Sequence, residues 1–175
     1  MTKDIIDAIK ERRSVRKFEK RELPDATIGR LLESAHLAPS AGNLEPWKFI
    51  VVKQDDLKAK LSEAAYGQSS LRSAPVCIVV CAEPNRSAAK YGDRGANLYC
   101  LQDTAAAVEN LLLTATGYGL GSCWVGAFNE QEVREELGLE TSLRPVAMIP
   151  VGYPVSEVEV NEVPRRPVDE VTVVM

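Results

Sequence analysis

The stretch Gly95–Gly126, GANLYCLQDTAAAVENLLLTATGYGLGSCWVG, decides how this chain folds. At a helical period, Gln102, Asp103, Glu109, Asn110, Thr114 and Thr116 fall within an arc of roughly 160°, while Leu98, Leu101, Ala105, Ala106, Val108, Leu111, Leu112 and Ala115 fill most of the rest. More than half of the circumference must therefore be dry. A surface helix needs only one apolar stripe, so this one is either the central helix of a domain or also faces a second subunit. Gly117, Gly119 and Gly121 can take positive φ, stop the helix in a left-handed cap and turn the chain into a short apolar strand, Ser122 to Val125.

Working outward, the run Pro75 to Ala82, PVCIVVCA, is apolar throughout and β-branched, which predicts a central strand covered on both faces. Arg144 to Gly152 reads as the last core strand, and Asn129 caps a short helix ending at Gly138. Upstream, Ile5, Ile6 and Ile9 form one stripe of an opening helix capped by Thr2. Pro24 and Asp25 open a second helix with Ile28, Leu31, Leu32 and Ala35 at helical spacing. That helix stops before Pro39, and the turn-forming residues Pro39 to Trp47 lead into a strand from Lys48 to Lys53. A third helix spans about Asp55 to Tyr66. The polar residues Glu83 to Arg94 read as a surface crossing, and Tyr153 to Met175, with three prolines and no helical period, as an extended tail.

Composition excludes several classes. At 175 residues, with 45% hydrophobic and 26% charged residues, the chain reads as one soluble domain, or a subunit sharing its core with a copy of itself. No apolar run approaches the roughly 20 residues of a membrane span, and the charged N-terminus lacks a signal-peptide core, so a cytoplasmic protein is expected. Cys77, Cys81, Cys100 and Cys123 lie in apolar segments and read as reduced core residues; Cys77 and Cys81 would sit roughly 13 Å apart on one strand face, too far for a disulfide. The lone His36 makes neither a metal site nor a nucleophile triad and reads as a partly buried helix residue. Net charge is −4, yet Lys10 to Arg21 holds seven basic residues against Glu11 and Glu19. A single compact basic segment in an acidic chain fits a small anion better than a nucleic-acid track.

Alternating strands and helices ordinarily suggest a parallel doubly wound sheet, but no glycine-rich turn follows a first strand, which counts against a dinucleotide fold. Taken together, RRSVRKF at Arg12–Phe18, APSAGNLEPW at Ala38–Trp47, PVCIVVCA, LGSCWVG at Leu120–Gly126 and PRRP at Pro164–Pro167 resemble the flavin-dependent nitroreductase family in content and order, across almost the whole chain. That resemblance implies an α+β fold: a central, mainly antiparallel sheet wrapped by helices, in an intertwined homodimer with an exchanged C-terminal tail and FMN at the subunit interface. Residues 1–175 would then be a single FMN-binding domain whose tail, 153–175, packs on the partner.

The resemblance also assigns roles. Arg12, with Ser14 and Arg166, would hold the FMN phosphate, and Arg16 would lie near N1 and O2 of the ring and favour its reduced form, with Arg13 and Arg165 as neighbours. Ser40 and Asn43 would meet FMN from the partner subunit, Pro39 and Ala41 shaping that approach, while Trp47 packs in the core. Trp124, Val125, Gly126 and Ala127 would run along the ring. Glu45 stands where many members have Gln, and the position of a ring-facing Asn in many members falls to Gln68, beside Gly67. The implied activity is ping-pong electron transfer from NAD(P)H through FMN to a nitroaromatic, quinone or similar acceptor, with no metal, nucleic acid or membrane partner and no protein general acid or nucleophile. Two alternatives stand beside it: a flavin-binding protein without turnover, and a relative that fragments or dehalogenates using reduced flavin.

Overall fold

The structure, a computed structural model, describes residues 4–156 and 164–175. Helix α1 (Ile5–Glu11) starts from Asp4, whose carboxylate accepts the Ile6 N–H at 2.8 Å; the expected cap Thr2 lies outside the described residues. Helix α2 (Asp25–His36) opens at Pro24 as its sequence indicates and buries Ile28, Leu31 and Ala35. Strand β1 (Trp47–Val52), helix α3 (Asp55–Ala64) and a short helix α4 (Ser69–Ser73) follow, then strand β2 (Val76–Ala82), buried along its whole length.

Glu83 to Arg94 departs from the expected irregular crossing. Pro84–Arg94 is a helix, α5, with Pro84 in its first turn, where a missing N–H costs nothing. It breaks at Gly92 and passes through a π-helical turn, Gly95–Tyr99, into the long helix α6 (Cys100–Gly117). Gly95 permits this fold-back, because a Cβ there would run into the Ser87 carbonyl. Few apolar residues mark α5, and only Ser87 of it is buried, so hydrophobic periodicity is silent.

Helix α6 is the dry helix its sequence indicates, with one correction. Asp103, on the polar arc of the wheel, is buried, leaving Gln102 and Glu109 as its exposed residues. Of the three glycines that follow, Gly119 alone takes positive φ. Gly121 instead permits close approach, since a Cβ there would sit 2.6 Å from Val15 Cγ1. The expected strand Ser122–Val125 shrinks to β3 (Gly121–Ser122), with Val125 rejoining the sheet by a single bridge to Met148. Helix α7 (Glu130–Leu137) begins at Asn129, whose side chain accepts the N–H groups of Gln131 and Glu132, and ends on left-handed Gly138; strand β4 (Arg144–Gly152) matches its sequence bounds.

The four strands form one antiparallel sheet in the order β1-β2-β4-β3, which replaces the parallel arrangement that strand–helix alternation suggested. Alternate residues of β2 explain its unbroken hydrophobicity. Val76, Ile78 and Val80 pack with Leu31 and Ala35 of α2 and Ala107 and Leu111 of α6, while Cys77, Val79 and Cys81 face Leu61 of α3, Leu71 of α4 and Val133 of α7. The fold is α+β, a sheet between two helical layers. All four cysteines are free and buried, and burial pushes the Cys77 and Cys81 thiols up to about 12, so both are inert apolar filling. Trp47 is buried as expected; its indole N–H donates to His36 Nδ1 at 3.2 Å, and His36 itself is exposed rather than partly buried. The described tail residues, 164–175, are exposed and fold at Val168–Val171 into a 3-10 turn that the extended reading did not contain. Pro167 sets its start, and the Glu170 N–H donates back to the Pro167 carbonyl at 3.1 Å.

Candidate functional site

The basic segment is extended because it is used as sheet edge. After α1 ends at Arg12, the Val15 N–H donates to the Ser122 carbonyl at 2.9 Å and Ser14 bridges Ser122 in parallel. Further on, Phe18 bridges Pro154, the Glu19 N–H donates to the Tyr153 carbonyl at 2.8 Å, and the Arg21 guanidinium lies 3.8 Å over the Tyr153 ring. Arg12, Arg13, Ser14 and Arg16 are thereby laid alongside β3. The Arg12 side chain lies 3.8 Å from Glu109, while Arg13 Nη1 donates to the Lys10 and Arg12 carbonyls. Arg16 is exposed, with Nη1 3.4 Å from the Ser14 carbonyl.

Four residues beyond Ser122 the chain reaches exposed backbone. Val125 exchanges both of its backbone hydrogen bonds with Met148 and buries its side chain, so it anchors the segment, and Gly126 and Ala127 emerge uncovered beside exposed Trp124. Gln68 joins them: its Nε2 donates to the Ala127 carbonyl at 3.1 Å. Just before it, Tyr66 holds φ +58° with its side chain 76% exposed, an unfavourable backbone for an aromatic residue. Sequence reasoning passed over Tyr66; the only local signal was its place before Gly67 at the end of a helix.

Pro39, Ser40, Ala41 and Asn43 form a second group. They build a 3-10 turn, Ala41–Asn43, that leads into β1, with Gly42 and Asn43 both left-handed. The Asn43 N–H donates to the Ser40 carbonyl at 3.0 Å, and Ser40 Oγ accepts the Glu45 N–H at 3.0 Å. Asp103 reaches the turn from α6, its Oδ1 accepting the Ala41 N–H at 3.1 Å; burial raises this carboxyl above the usual range, partly offset by that hydrogen bond. From α5, Tyr91 Oη and Lys90 Nζ occupy the space beside Gly42, and the Arg86 guanidinium donates to the Leu44 carbonyl. Glu45, with Oε2 3.8 Å from His36 Nε2, faces His36.

The two groups sit apart. The turn leads into Trp47, level with Ala82 and Arg144, and the basic segment lines β3, level with Val151 and Gly152, so the two groups occupy opposite edges and opposite ends of the sheet. Arg165 and Arg166 lie on the exposed tail without a hydrogen bond or ion pair among the described residues. A groove of about 350 Å³ between α1, α2 and α6 holds none of these residues; it is walled by Ile5, Leu37, Leu113 and Tyr118. Around it Ile5, Ile6 and Ile9 are 57%, 53% and 53% exposed, an apolar stripe left uncovered within one chain. Among the described residues no group of His, Cys, Asp and Glu could hold a metal, and no helix is long and apolar enough to cross a membrane.

Three comparisons bear on this arrangement. The chain is 37% identical over 167 residues, 93% of its length and 92% of the relative's, to an Archaeoglobus fulgidus protein provisionally named an NADH dehydrogenase/NAD(P)H nitroreductase. It is 30% identical over 186 residues, 93% of this chain and 88% of the relative, to a Rhodospirillum rubrum protein named 5,6-dimethylbenzimidazole synthase. A solved structure from Clostridium difficile R20291, described as an FMN-dependent nitroreductase, superposes with a TM-score of 0.76 at 29% identity over 87% of this chain and 88% of that one. With residues 9–70 and 64–153 also matching the family pattern, the chain belongs to the nitroreductase family.

Proposed function

We propose that this protein is a cytoplasmic homodimeric FMN-dependent oxidoreductase that takes electrons from NADH or NADPH and delivers them, in a ping-pong cycle, to a nitroaromatic, quinone or similar acceptor. The observation that carries this reading is the pairing of Val15 with Ser122, which lays the cations of Arg12 to Arg16 along the strand that leads to the uncovered backbone of Gly126 and Ala127. A phosphate needs planar cationic forks and hydroxyl donors at one end, and a flat ring needs accessible backbone at the other; this segment offers both. FMN, when bound, supplies the two-electron carriage between donor and acceptor. The protein's part is binding, orientation and charge. Arg12 and Ser14, with Arg166, hold the phosphate; Arg13 and Arg165 add positive field; Arg16 faces the ring; and Gln68, tied to Ala127, presents its amide at the ring edge.

The separation of the two groups supports a site built from two chains. A turn carrying Ser40 and Asn43 at the β1 edge completes the site of a second copy, with Pro39 and Ala41 shaping its approach. The uncovered stripe of Ile5, Ile6 and Ile9 supplies an apolar surface for that copy. The protein is expected to purify yellow, or to take up added FMN, with about one FMN per subunit, and to oxidise NADH or NADPH anaerobically when an acceptor is added. Colourless protein that ignores added FMN overturns the reading, and FMN uptake without NAD(P)H oxidation leaves storage as the function. A second reading is a relative that fragments or dehalogenates using reduced flavin; the likeness to a protein named for a synthase rather than a nitroreductase keeps it beside the first, and product analysis under oxygen distinguishes the two.

Arg16 is exposed and only weakly engaged, so its charge is available to the ring. Arg16→Gln is expected to lower the two-electron potential by about 30 mV for each 1.4 kcal/mol of lost charge stabilisation. FMN affinity should change by less than about threefold, roughly 0.6 kcal/mol. Spectroelectrochemistry of the loaded protein reads this directly, and an unchanged potential with intact binding would put Arg16 outside the site.

A further inference from the structure

The Ser40–Asn43 turn rests on a buried carboxyl. Asp103, in the first turn of α6, is 7% exposed; Oδ1 accepts the Ala41 N–H at 3.1 Å, and Oδ2 is buried with no hydrogen-bond partner among the described residues. A carboxyl buried with one oxygen unsatisfied is costly, and the neighbouring core positions one and two turns on, Ala107 and Leu111, show what a purely space-filling residue looks like here. Asp103 therefore does something that an apolar residue could not. Its one hydrogen bond spans 62 positions of sequence and supplies the acceptor for Ala41, whose N–H the internal bonds of the turn leave unmet. The turn needs holding, since Asn43 sits at φ 55° and Gly42 at φ 61°. The other contacts, Arg86 on the Leu44 carbonyl and Lys90 and Tyr91 beside Gly42, come from α5 and supply no hydrogen bond to the Ala41 N–H among the described residues.

We propose that Asp103 is a positioning residue: through the Ala41 N–H it fixes the backbone that presents Ser40 and Asn43 to the cofactor. The inference rests on the FMN reading of the site, and it assigns the role to hydrogen-bond acceptance rather than to charge. Asn at position 103 keeps an oxygen acceptor and loses the charge; Ala loses both. Proline at position 41 removes the donor while leaving Asp103 in place, and the extended backbone of Ser40 (φ −138°, ψ 152°) tolerates a following proline.

The test follows the Ala41 amide by NMR hydrogen exchange in flavin-free protein, with the Val79 amide in β2 as an internal control for global stability, and then titrates the same variants with FMN. Asp103→Ala is expected to speed Ala41 exchange about tenfold relative to Val79 and to weaken FMN by about tenfold, as loss of one hydrogen bond implies. Asp103→Asn should restore both to within about threefold of wild type, a rescue that only the acceptor explains. Ala41→Pro should weaken FMN as Asp103→Ala does, and combining the two should add less than about twofold, because one bond cannot be lost twice. Unchanged Ala41 exchange in Asp103→Ala overturns the proposal. So does Asp103→Asn as impaired as Asp103→Ala, which would make charge the operative property, or faster exchange with unaltered FMN affinity. Wild-type protein that takes up no FMN sinks the cofactor reading separately, and the exchange comparison still reports whether Asp103 holds the turn.

Discussion

A chain ended after Ser156 is expected to be monomeric by light scattering and to bind FMN at least about a hundredfold more weakly than the full chain. In the proposed site, loss of an Arg166 contact to phosphate would account for roughly 1.5 to 3 kcal/mol, about ten- to a hundredfold, and loss of a second subunit's turn would add to it. The cut is placed after Ser156 because Tyr153, Pro154 and Val155 belong to the subunit's own frame: their backbone bonds to Lys17, Phe18 and Glu19 hold the end of the basic segment. Removing residues 157–175 leaves those bonds intact and takes away Arg165, Arg166 and the terminal Thr172 to Val174, exposed and β-prone in the single chain. The shortened chain should therefore keep its helical circular dichroism while losing dimer and cofactor together. A truncated protein that stays dimeric and yellow would show that the tail serves neither purpose and that Arg166 is wrongly assigned.

Arg12→Ala should weaken FMN about ten- to a hundredfold while leaving riboflavin affinity within about threefold, because a charge-assisted bond to phosphate is lost and the ring contacts are not. Folding should be nearly untouched. The capping bond of Arg12 to α1 is made by its backbone N–H to the Ala8 carbonyl, and its partner Glu109 is half exposed at 3.8 Å, a pair that stabilises little. Fluorescence titration with the two flavins separates the outcomes: equal losses for both would make Arg12 a structural residue.

Much of the fold was legible because its signals are local. The unbroken run of β2, the bounds of β4 and the Asn129-to-Gly138 helix follow from periodicity, capping and β-branching within a few residues of each feature. Helix α5 was not legible, since a helix whose buried set is Ser87 carries no apolar period; its shape depends on the Gly95 fold-back and on what Arg86, Lys90 and Tyr91 touch. Asp103 was misread for a related reason. A helical wheel records polarity, and whether a polar residue meets water depends on which distant segment covers it, here the turn that starts at Ala41.

The residue types of the candidate site could be read from the sequence: cations with a serine at Arg12 to Arg16, small turn formers at Pro39 to Asn43, glycine at Gly126. Their division could not. The strand order β1-β2-β4-β3 sets the turn and the basic segment on opposite edges of the sheet, and the Val15–Ser122 and Gln68–Ala127 hydrogen bonds draw the basic segment, the Ser122-to-Ala127 backbone and Gln68 together. The sequence by itself determined the helices α1, α2, α3, α6 and α7, the strands β1, β2 and β4 and the cationic arm, because those depend on neighbours within one or two turns of chain, whereas α4, α5 and the extent of β3 do not. The tertiary structure alone decided what stands beside what, because pairings such as Ala41 with Asp103, Gln68 with Ala127 and Val15 with Ser122 are chosen by the packing of the whole sheet and its two helical layers, which no local window contains.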